Sequence, residues 1–293
     1  MFKTVRDIVK IPDLRRKILY TLMMLALVRL GSLIPSPLMD ATIVKNYFAS
    51  AGGVMALFDI MSGNAFSQMN LFAMGIQPYI NASIIMNLLT VAIPKLEELQ
   101  KDGESGRKKM MQYTRVLTVA LALIQSFGIS YGLRSGFISE LGVAWSIIVS
   151  MAVFTAGSVF VMWIGENITE KGIGNGISLI IMVNVLSRVP SAISSLVSYQ
   201  DYWMLAIIIV LLVLVVAFIV VLELAERRIP IQYAQRIQGR KSYGGRSTYI
   251  PIRVNMAGVI PIIFAISIMS LPGIINGFIT ASPTGWWATV LTW

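Results

Sequence analysis

Seven apolar runs divide this chain, and most approach the roughly 20 residues that a helix needs to cross a bilayer. They are Ile18–Ile34, Gly75–Ile93, Met110–Leu133, Val143–Ile164, Ile177–Val189, Trp203–Leu222 and Val254–Leu271. Backbone polar groups inside a bilayer must pair within their own segment, so such runs fold as helices. The composition agrees, because 56% of the residues are hydrophobic and only 13% are charged, about half the usual charged share. The sequence predicts an all-α polytopic membrane protein.

The basic residues predict the orientation of these helices. Nineteen of the 24 lysines and arginines lie on one side if the N-terminus is cytoplasmic, and short basic loops remain in the cytoplasm. We therefore expect a cytoplasmic amphipathic segment over residues 1–17, an N-terminal half with five helices over 18–200, and a partial C-terminal half with two over 201–293. No cleavage site of small residues follows the basic N-terminus, so we expect no removable signal peptide.

Few residues of this chain are candidates for a catalytic site. The chain contains no cysteine and no histidine, which excludes thiolate and imidazole metal ligands and the common nucleophile–base pairs. Glu166 and Glu170 could serve acid–base work or ion coupling, but a solvated or salt-bridged role beside Lys171 is favoured. The glycines of Gly172–Gly176 could cradle phosphate, but without a Walker lysine a tight turn is favoured. We expect no enzyme, no cofactor and no metal site.

The segment Met55–Leu89 begins like a span and is interrupted. Its first part, Met55–Met69, alternates apolar and polar residues and is too short to cross. Its second part is long enough, yet it carries Gln77, Pro78, Asn81, Ser83 and Asn87. Polar groups at that depth face a cavity or another helix. The segment predicts a wet pathway with a partly inserted element lying in it.

Amide side chains also interrupt the spans, at Asn81, Asn87, Gln125 and Asn184. Each could form an interhelical hydrogen bond worth about 1 kcal/mol. As a set, they also fit helices that face an aqueous seam.

Two apolar pairs have helical spacing. Ile76 and Ile80 are four residues apart, as are Ile181 and Val185, so each pair shares one helix face. Core packing is one interpretation, and an apolar constriction that closes a wet pore is the other.

The loop Glu223–Arg253 is long and basic for a connector. Against Glu223 and Glu226 it carries Arg227, Arg228, Arg236, Arg240, Lys241, Arg246 and Arg253. It is either a solvated positive-inside loop or a docking site for an acidic partner, protein or RNA. The glycines of Gly239–Gly245 suggest a tip that can adapt to such a surface.

Two long motifs, Gly75–Leu89 and Phe160–Ser178, closely resemble the SecY family, the channel subunits of the bacterial protein-export translocon. Shorter matches occur at Arg29–Pro37, Gly103–Lys109, Arg227–Arg236 and Val254–Phe264. The resemblance implies an inverted-repeat helical channel with a re-entrant plug helix. Such a channel passes unfolded preproteins and releases hydrophobic segments into lipid. A secondary transporter of a small solute is the alternative, disfavoured by the absence of mid-span carboxylates.

The resemblance also implies residue roles. A plug at about 55–69 would include Phe58, Asp59, Ile60, Met61, Ser62, Gly63, Asn64, Ala65 and Phe66. The apolar pore ring would comprise Ile76, Ile80, Ile181, Val185 and Ile263. The lateral gate would include Asn81, Asn87 and Gln125. The residues that would dock SecA or the ribosome are Arg227, Arg228, Arg236, Arg240, Lys241 and Arg246.

The implied partners are SecE, SecG, the motor ATPase SecA, the ribosome, signal sequences, nascent chains and lipid of the bacterial plasma membrane. The family has about ten spans in two inverted halves. This sequence resembles such a protein truncated after the seventh span, so one wall of the pore would be incomplete. We expect these 293 residues alone not to support export.

Overall fold

The computed structural model describes residues 11–36, 39, 62, 63, 65, 67–137, 142–198, 202–231, 236–238, 241–243, 248–255, 258, 261, 262 and 265. The chain divides into two compact units. The first comprises Met1–Pro190 and Phe264–Trp293, and the second comprises Ser191–Ile263.

Eight α-helices and four strands form the described part of the chain. The helices are α1 (Pro12–Gly31), α2 (Gln77–Ala92), α3 (Pro94–Lys101), α4 (Gly103–Gly132), α5 (Val143–Lys171), α6 (Gly176–Leu186), α7 (Val189–Ser198) and α8 (Tyr202–Leu224). The strands are β1 (Glu226–Ile231), β2 (Arg236–Gln238), β3 (Lys241–Tyr243) and β4 (Thr248–Arg253). A short 3-10 turn, Arg134–Gly136, follows α4.

Four described helical segments are long and apolar enough to cross a membrane. They are α4, α5, Gly176–Ser195 and Ala206–Leu224. A fifth would be α2 with α3, which are bent by 104° at their junction. These segments overlap the second to sixth predicted spans.

The two remaining spans stay predictions. Helix α1 covers most of the first one, but Asp13 and the basic run Arg15–Lys17 occupy its first turns. The predicted seventh span, Val254–Leu271, lies mostly outside the described residues.

Helix α5 is central to the first unit, because it contacts α1, α2, α4 and α6. Its buried side chains include Phe154, Ile164 and Ile168. Glycine allows the close approach of neighbouring backbones, as is common between membrane helices. A side chain added at Gly157 would collide with the carbonyl oxygen of Leu71.

The segment before α2 is hydrogen-bonded to the segment after α1. The amide of Ser36 donates to the Met69 carbonyl at 2.9 Å, and the amide of Leu71 donates to the Ile34 carbonyl at 2.9 Å. A buried cluster rich in methionine lies here, formed by Met39, Met69, Ala73, Met74, Leu133 and Phe154. This pairing and packing fix where α2 can begin.

The glycine-rich segment between α5 and α6 is a tight turn, as the sequence favoured. Gly174 has a φ of 70°, in the left-handed region that suits glycine. Asn175 caps α6, because its side-chain oxygen accepts from the amides of Ile177 and Ser178 at 3.0 and 3.3 Å. The amide of Gly176 donates to the Thr169 hydroxyl at 2.9 Å.

In the second unit, the basic segment after α8 folds as antiparallel ladders over its described residues. Strand β1 pairs with β4 from Glu226 opposite Arg253 to Ile231 opposite Thr248. Strand β2 pairs with β3. Within the predicted tip Gly239–Gly245, Lys241–Tyr243 form β3, and the ability of the tip to adapt to a partner stays a prediction. The other residues of that tip lie outside the described part of the chain.

Candidate functional site

The candidate site begins where α2 starts, inside the first unit. Gly75 has a φ of 53°, which lets the chain turn sharply before the helix. Pro78 lies in the first turn, where its missing N–H needs no partner. The turn places Ile76 at the N-cap and brings it into the core. Within the interrupted segment recognised in the sequence, residues 67–76 are a stretch without regular helix that leads into α2.

Ile76 and Ile80 are both buried, with 5% and 7% of their surface exposed. A Cβ placed on Gly165 of α5 would lie 3.4 Å from Cδ1 of both Ile76 and Ile180, and 3.6 Å from Cγ1 of Ile177. An apolar layer around Gly165 therefore joins the start of α2 to the first turns of α6. The sequence prediction did not include Ile177 or Ile180 in this layer.

The other predicted pore-ring residues differ in burial. Ile181 is half-buried, and Val185 is 40% exposed. They follow the fully buried Ile180 on α6 and occupy a face that this packing leaves accessible. Ile263 lies outside the described residues. The pore-ring role of all five stays a prediction.

The amides of the predicted gate lie in different surroundings. Asn81 and Gln125 are buried, whereas Asn87 is exposed. In the described structure the side-chain oxygen of Asn81 and the side-chain nitrogen of Gln77 are buried without a hydrogen-bond partner. Leaving such a group unpaired costs about 1–3 kcal/mol. A donor and an acceptor one helical turn apart could pair with water or with a peptide backbone.

An ion pair joins α4 to α5 in the first unit. Arg115 Nε donates to Glu166 Oε1 at 3.0 Å, and Arg115 Nη2 lies 2.9 Å from Glu166 Oε2. This two-bond fork is the geometry that arginine and carboxylate prefer. The salt-bridged role expected for Glu166 is confirmed, although its partner is Arg115 and not the neighbouring Lys171.

Of the predicted plug at about 55–69, the structure describes Ser62, Gly63, Ala65 and residues 67–69, and the remaining residues lie outside the described part of the chain. Gly63 has a φ of 68°. A Cβ placed there would lie 3.0 Å from the Asn184 carbonyl oxygen, 3.1 Å from Ser187 Oγ and 3.1 Å from Arg29 Nη1. Gly63 is therefore enclosed between the C-terminal ends of α1 and α6.

Arg29 is the third residue around Gly63, and the site that it forms with Asn184 and Ser187 is called the Gly63 seat below. Its Nη1 is buried and has no hydrogen-bond partner in the described structure. The C-terminal end of α6, next to it, carries the negative end of a helix dipole, which favours a nearby cation. No sequence motif pointed to this contact, because Arg29, Gly63 and Asn184 are far apart in the chain.

The predicted docking residues belong to the second unit. Arg227 and Arg228 are exposed on β1, and the guanidinium of Arg228 lies 4.8 Å from the ring centre of Tyr249. Arg236 and Lys241 are the first residues of β2 and β3. Arg240 and Arg246 lie outside the described residues.

A sequence signal could have found these strands. Ile229 and Ile231 alternate with other residues, as do Ile250 and Ile252, and a period of two is typical of strands. Among the described residues, no three acidic side chains come together as metal ligands would.

Comparison with known proteins agrees with this architecture. The family model described as SecY matches residues 70–293. The protein translocase subunit SecY of Streptomyces scabiei is 44% identical over 298 residues, which cover 96% of this chain and 68% of the relative.

Two solved structures share the fold. One, described as the structure of a protein conducting channel, has a TM-score of 0.61 at 17% identity. The other, Sec61 in the canine ribosome-channel complex from the endoplasmic reticulum, has a TM-score of 0.60 at 16% identity. Each comparison covers 90% of this chain and 58% of the solved chain, so the matched region is little more than half of either solved chain. The alternative of a small-solute transporter is not supported by these similarities.

Proposed function

We propose that this chain, which belongs to the SecY family, forms part of a protein-conducting channel that passes unfolded polypeptides and releases hydrophobic segments into lipid. The observation that carries the proposal is the start of α2. There, buried Ile76 and Ile80 lie on the same helix as Gln77 and Asn81, each of which has one buried polar atom without a hydrogen-bond partner in the described structure. An apolar seal beside unsatisfied polar groups suits a pathway that is closed at rest and polar when opened.

The channel needs no chemical step of its own. A signal sequence gains about 0.8 kcal/mol for each CH2 group that it moves from water into an apolar environment. That gain offsets the cost of separating the gate helices. Branched aliphatic side chains at Ile76, Ile80, Ile181, Val185 and Ile263 would surround a passing chain without binding any one sequence tightly.

The segment around Gly63 would act as a plug over this pore. Its contact with the C-terminal ends of α1 and α6 supports this role, because both helices also pack against α5. Asn81, Asn87 and Gln125 would contribute to the lateral gate, through which apolar segments leave.

Partner subunits would complete the channel. We propose SecE and SecG in the membrane, and SecA or a ribosome at the basic segment 223–253. The solved Sec61 structure is a ribosome–channel complex, which supports docking on the cytoplasmic side. The bias of basic residues supports a cytoplasmic N-terminus, and the similarity to SecY of Streptomyces scabiei supports a bacterial plasma membrane.

Site-specific crosslinking tests this function in membranes that contain the complete translocase. A photoreactive side chain replaces Asn81 or Ile181 while a preprotein is being exported. We expect adducts with the signal sequence, and their loss when the signal sequence is deleted. Ile148, which is 55% exposed on α5, is the control position. Equal adduct yields at Ile148 and at the two test positions would contradict the proposal.

A further inference from the structure

The β1–β4 ladder has one apolar face, here called the isoleucine face: Ile229, Ile231, Ile250 and Ile252. Residues opposite each other in an antiparallel ladder share a face, and successive residues alternate between faces. Ile229 pairs directly with Ile250, and Ile252 pairs with Arg227. Ile231 is opposite Thr248, so four of the six residues on this side of the ladder are isoleucines, with Arg227 at the end next to α8 and Thr248 at the other end.

The other face of the ladder carries Glu226, Arg228, Tyr249 and Arg253 together with the two prolines Pro230 and Pro251. Glu226 is opposite Arg253 in the register, and Arg228 stacks over Tyr249. Its polar groups already have neighbours within the ladder. The two faces thus differ in chemistry although they belong to the same two strands.

The isoleucine face is exposed. Ile229, Ile250 and Ile252 are 42%, 50% and 39% exposed. A two-stranded ladder on its own is only marginally stable in water, because it has too little surface to bury. Exposed apolar patches bordered by polar residues are typical of contact surfaces for other proteins.

Prolines make docking through the ladder edges unfavourable. Pro230 and Pro251 each lie within a strand, and pairing continues on both sides of them. Their nitrogens must therefore face the open edges, where a proline cannot donate to an added strand. A partner would contact the face of the ladder and would not extend it.

Charge defines the partner further. The segment 223–253 carries seven basic residues and two acidic ones. Glu223 accepts a hydrogen bond from Asn255 at 2.9 Å, and Glu226 is opposite Arg253. The remaining charge is positive, so a partner surface with carboxylates is electrostatically complementary.

We infer that the isoleucine face is the surface by which this segment docks a cytoplasmic protein whose contact site is an apolar groove bordered by carboxylates. This deepens the proposed docking role and rests on it. RNA is the less suitable partner, because RNA is bound through phosphates and stacked bases, which aliphatic side chains do not recognise.

Crosslinking from two neighbouring residues tests the assignment of the face. Ile250 and Tyr249 are similarly exposed, at 50% and 46%, but lie on opposite faces of β4. A photoreactive side chain is placed at each position in the complete translocase in native membranes, with purified SecA as the probe. We expect about fivefold more SecA adduct at position 250 than at 249, because successive strand residues point in opposite directions. Equal yields, a higher yield at 249, or adducts with ribosomal RNA alone would overturn the inference.

Substitution gives an independent measurement. Ile229→Thr combined with Ile250→Thr keeps β-branched residues in both strands and removes apolar surface. Tyr249→Thr is the control on the other face. We expect the double variant to weaken SecA binding about tenfold, since apolar contact is lost, and the control to change it by less than about twofold. Equal weakening by both would contradict the inference.

Failure of this inference and failure of the channel function can be distinguished. Signal-sequence adducts at Asn81 report on the channel alone. If those adducts form while neither face of the ladder crosslinks to SecA, the channel proposal stands and the docking inference is wrong.

Discussion

At the residue scale, position 63 requires glycine for two reasons, which are its backbone angle and the lack of space for a side chain. Its φ of 68° is unfavourable for other residues by about 1–2 kcal/mol. An added Cβ would lie 3.0 Å from the Asn184 carbonyl oxygen, closer than an ordinary van der Waals contact. The seat on α6 therefore accepts glycine and resists larger residues.

We predict that Gly63→Ala loosens this seat. A cost of about 1–2 kcal/mol changes the ratio of seated to displaced segment by about 5- to 30-fold. If the segment is the plug, the resting ion conductance of the reconstituted complex rises. Gly174→Ala is the matched control, because Gly174 has a φ of 70° but no atom within 4 Å of an added Cβ. An unchanged conductance in Gly63→Ala, or an equal rise in the control, would show that the seat does not hold a seal.

At the scale of elements, the Arg115–Glu166 fork connects α4 to α5 at positions 51 residues apart. The side chain of Glu166 is only 16% exposed, whereas that of Arg115 is 48% exposed. The pair is thus partly shielded from solvent. The exposed pair Lys101–Glu97 on α3, with side-chain exposures of 73% and 52%, provides a comparison within the same chain.

We predict that the fork stabilises the α4–α5 contact more than the exposed pair stabilises α3. A double-mutant cycle with Arg115→Ala and Glu166→Ala should give a coupling of about 1 kcal/mol, and Lys101–Glu97 about 0.3–0.5 kcal/mol. Arg115→Lys should keep only part of the coupling, because lysine cannot form the two-bond fork. The coupling is calculated from the free energies of unfolding of the four variants in each cycle, measured in detergent micelles. Equal couplings for the two pairs would refute the prediction.

The same elements separate what sequence could predict from what it could not. The apolar parts of α4, α5 and α8 follow from local hydropathy, so these spans were predictable, but α4 begins and α5 ends seven residues beyond the predicted span, in polar sequence. The partner of Glu166 was not, because a salt bridge across 51 positions depends on how two helices pack. In the same way, helical spacing could pair Ile181 with Val185, but only the packing around Gly165 identifies Ile177 and Ile180 as the neighbours of Ile76.

At the scale of the whole molecule, the basic bias makes orientation testable. Helix α4 is 30 residues long, or about 45 Å, so its two ends should reach opposite sides of a membrane. The chain has no cysteine, and a single introduced thiol can therefore be labelled without background.

We predict that Arg134→Cys, just after α4, reacts with a membrane-impermeant maleimide in intact cells. Gln100→Cys, on α3 before α4, should react only after the membrane is permeabilised, because it lies in the basic loop 95–109, which the charge bias assigns to the cytoplasm. Arg228→Cys should behave like Gln100→Cys. The reverse pattern would mean that the charge bias does not set the orientation of this chain.

The sequence by itself determined the class of molecule and the positions of most helices, and it predicts the sidedness of the loops. Hydrophobic transfer and charge act residue by residue, so their sums can be read along the chain. Only the tertiary structure decided the seat of Gly63, the fork of Arg115 with Glu166 and the two faces of the β1–β4 ladder. Those features depend on which distant residues share a surface, because packing and strand register bring separated positions into contact.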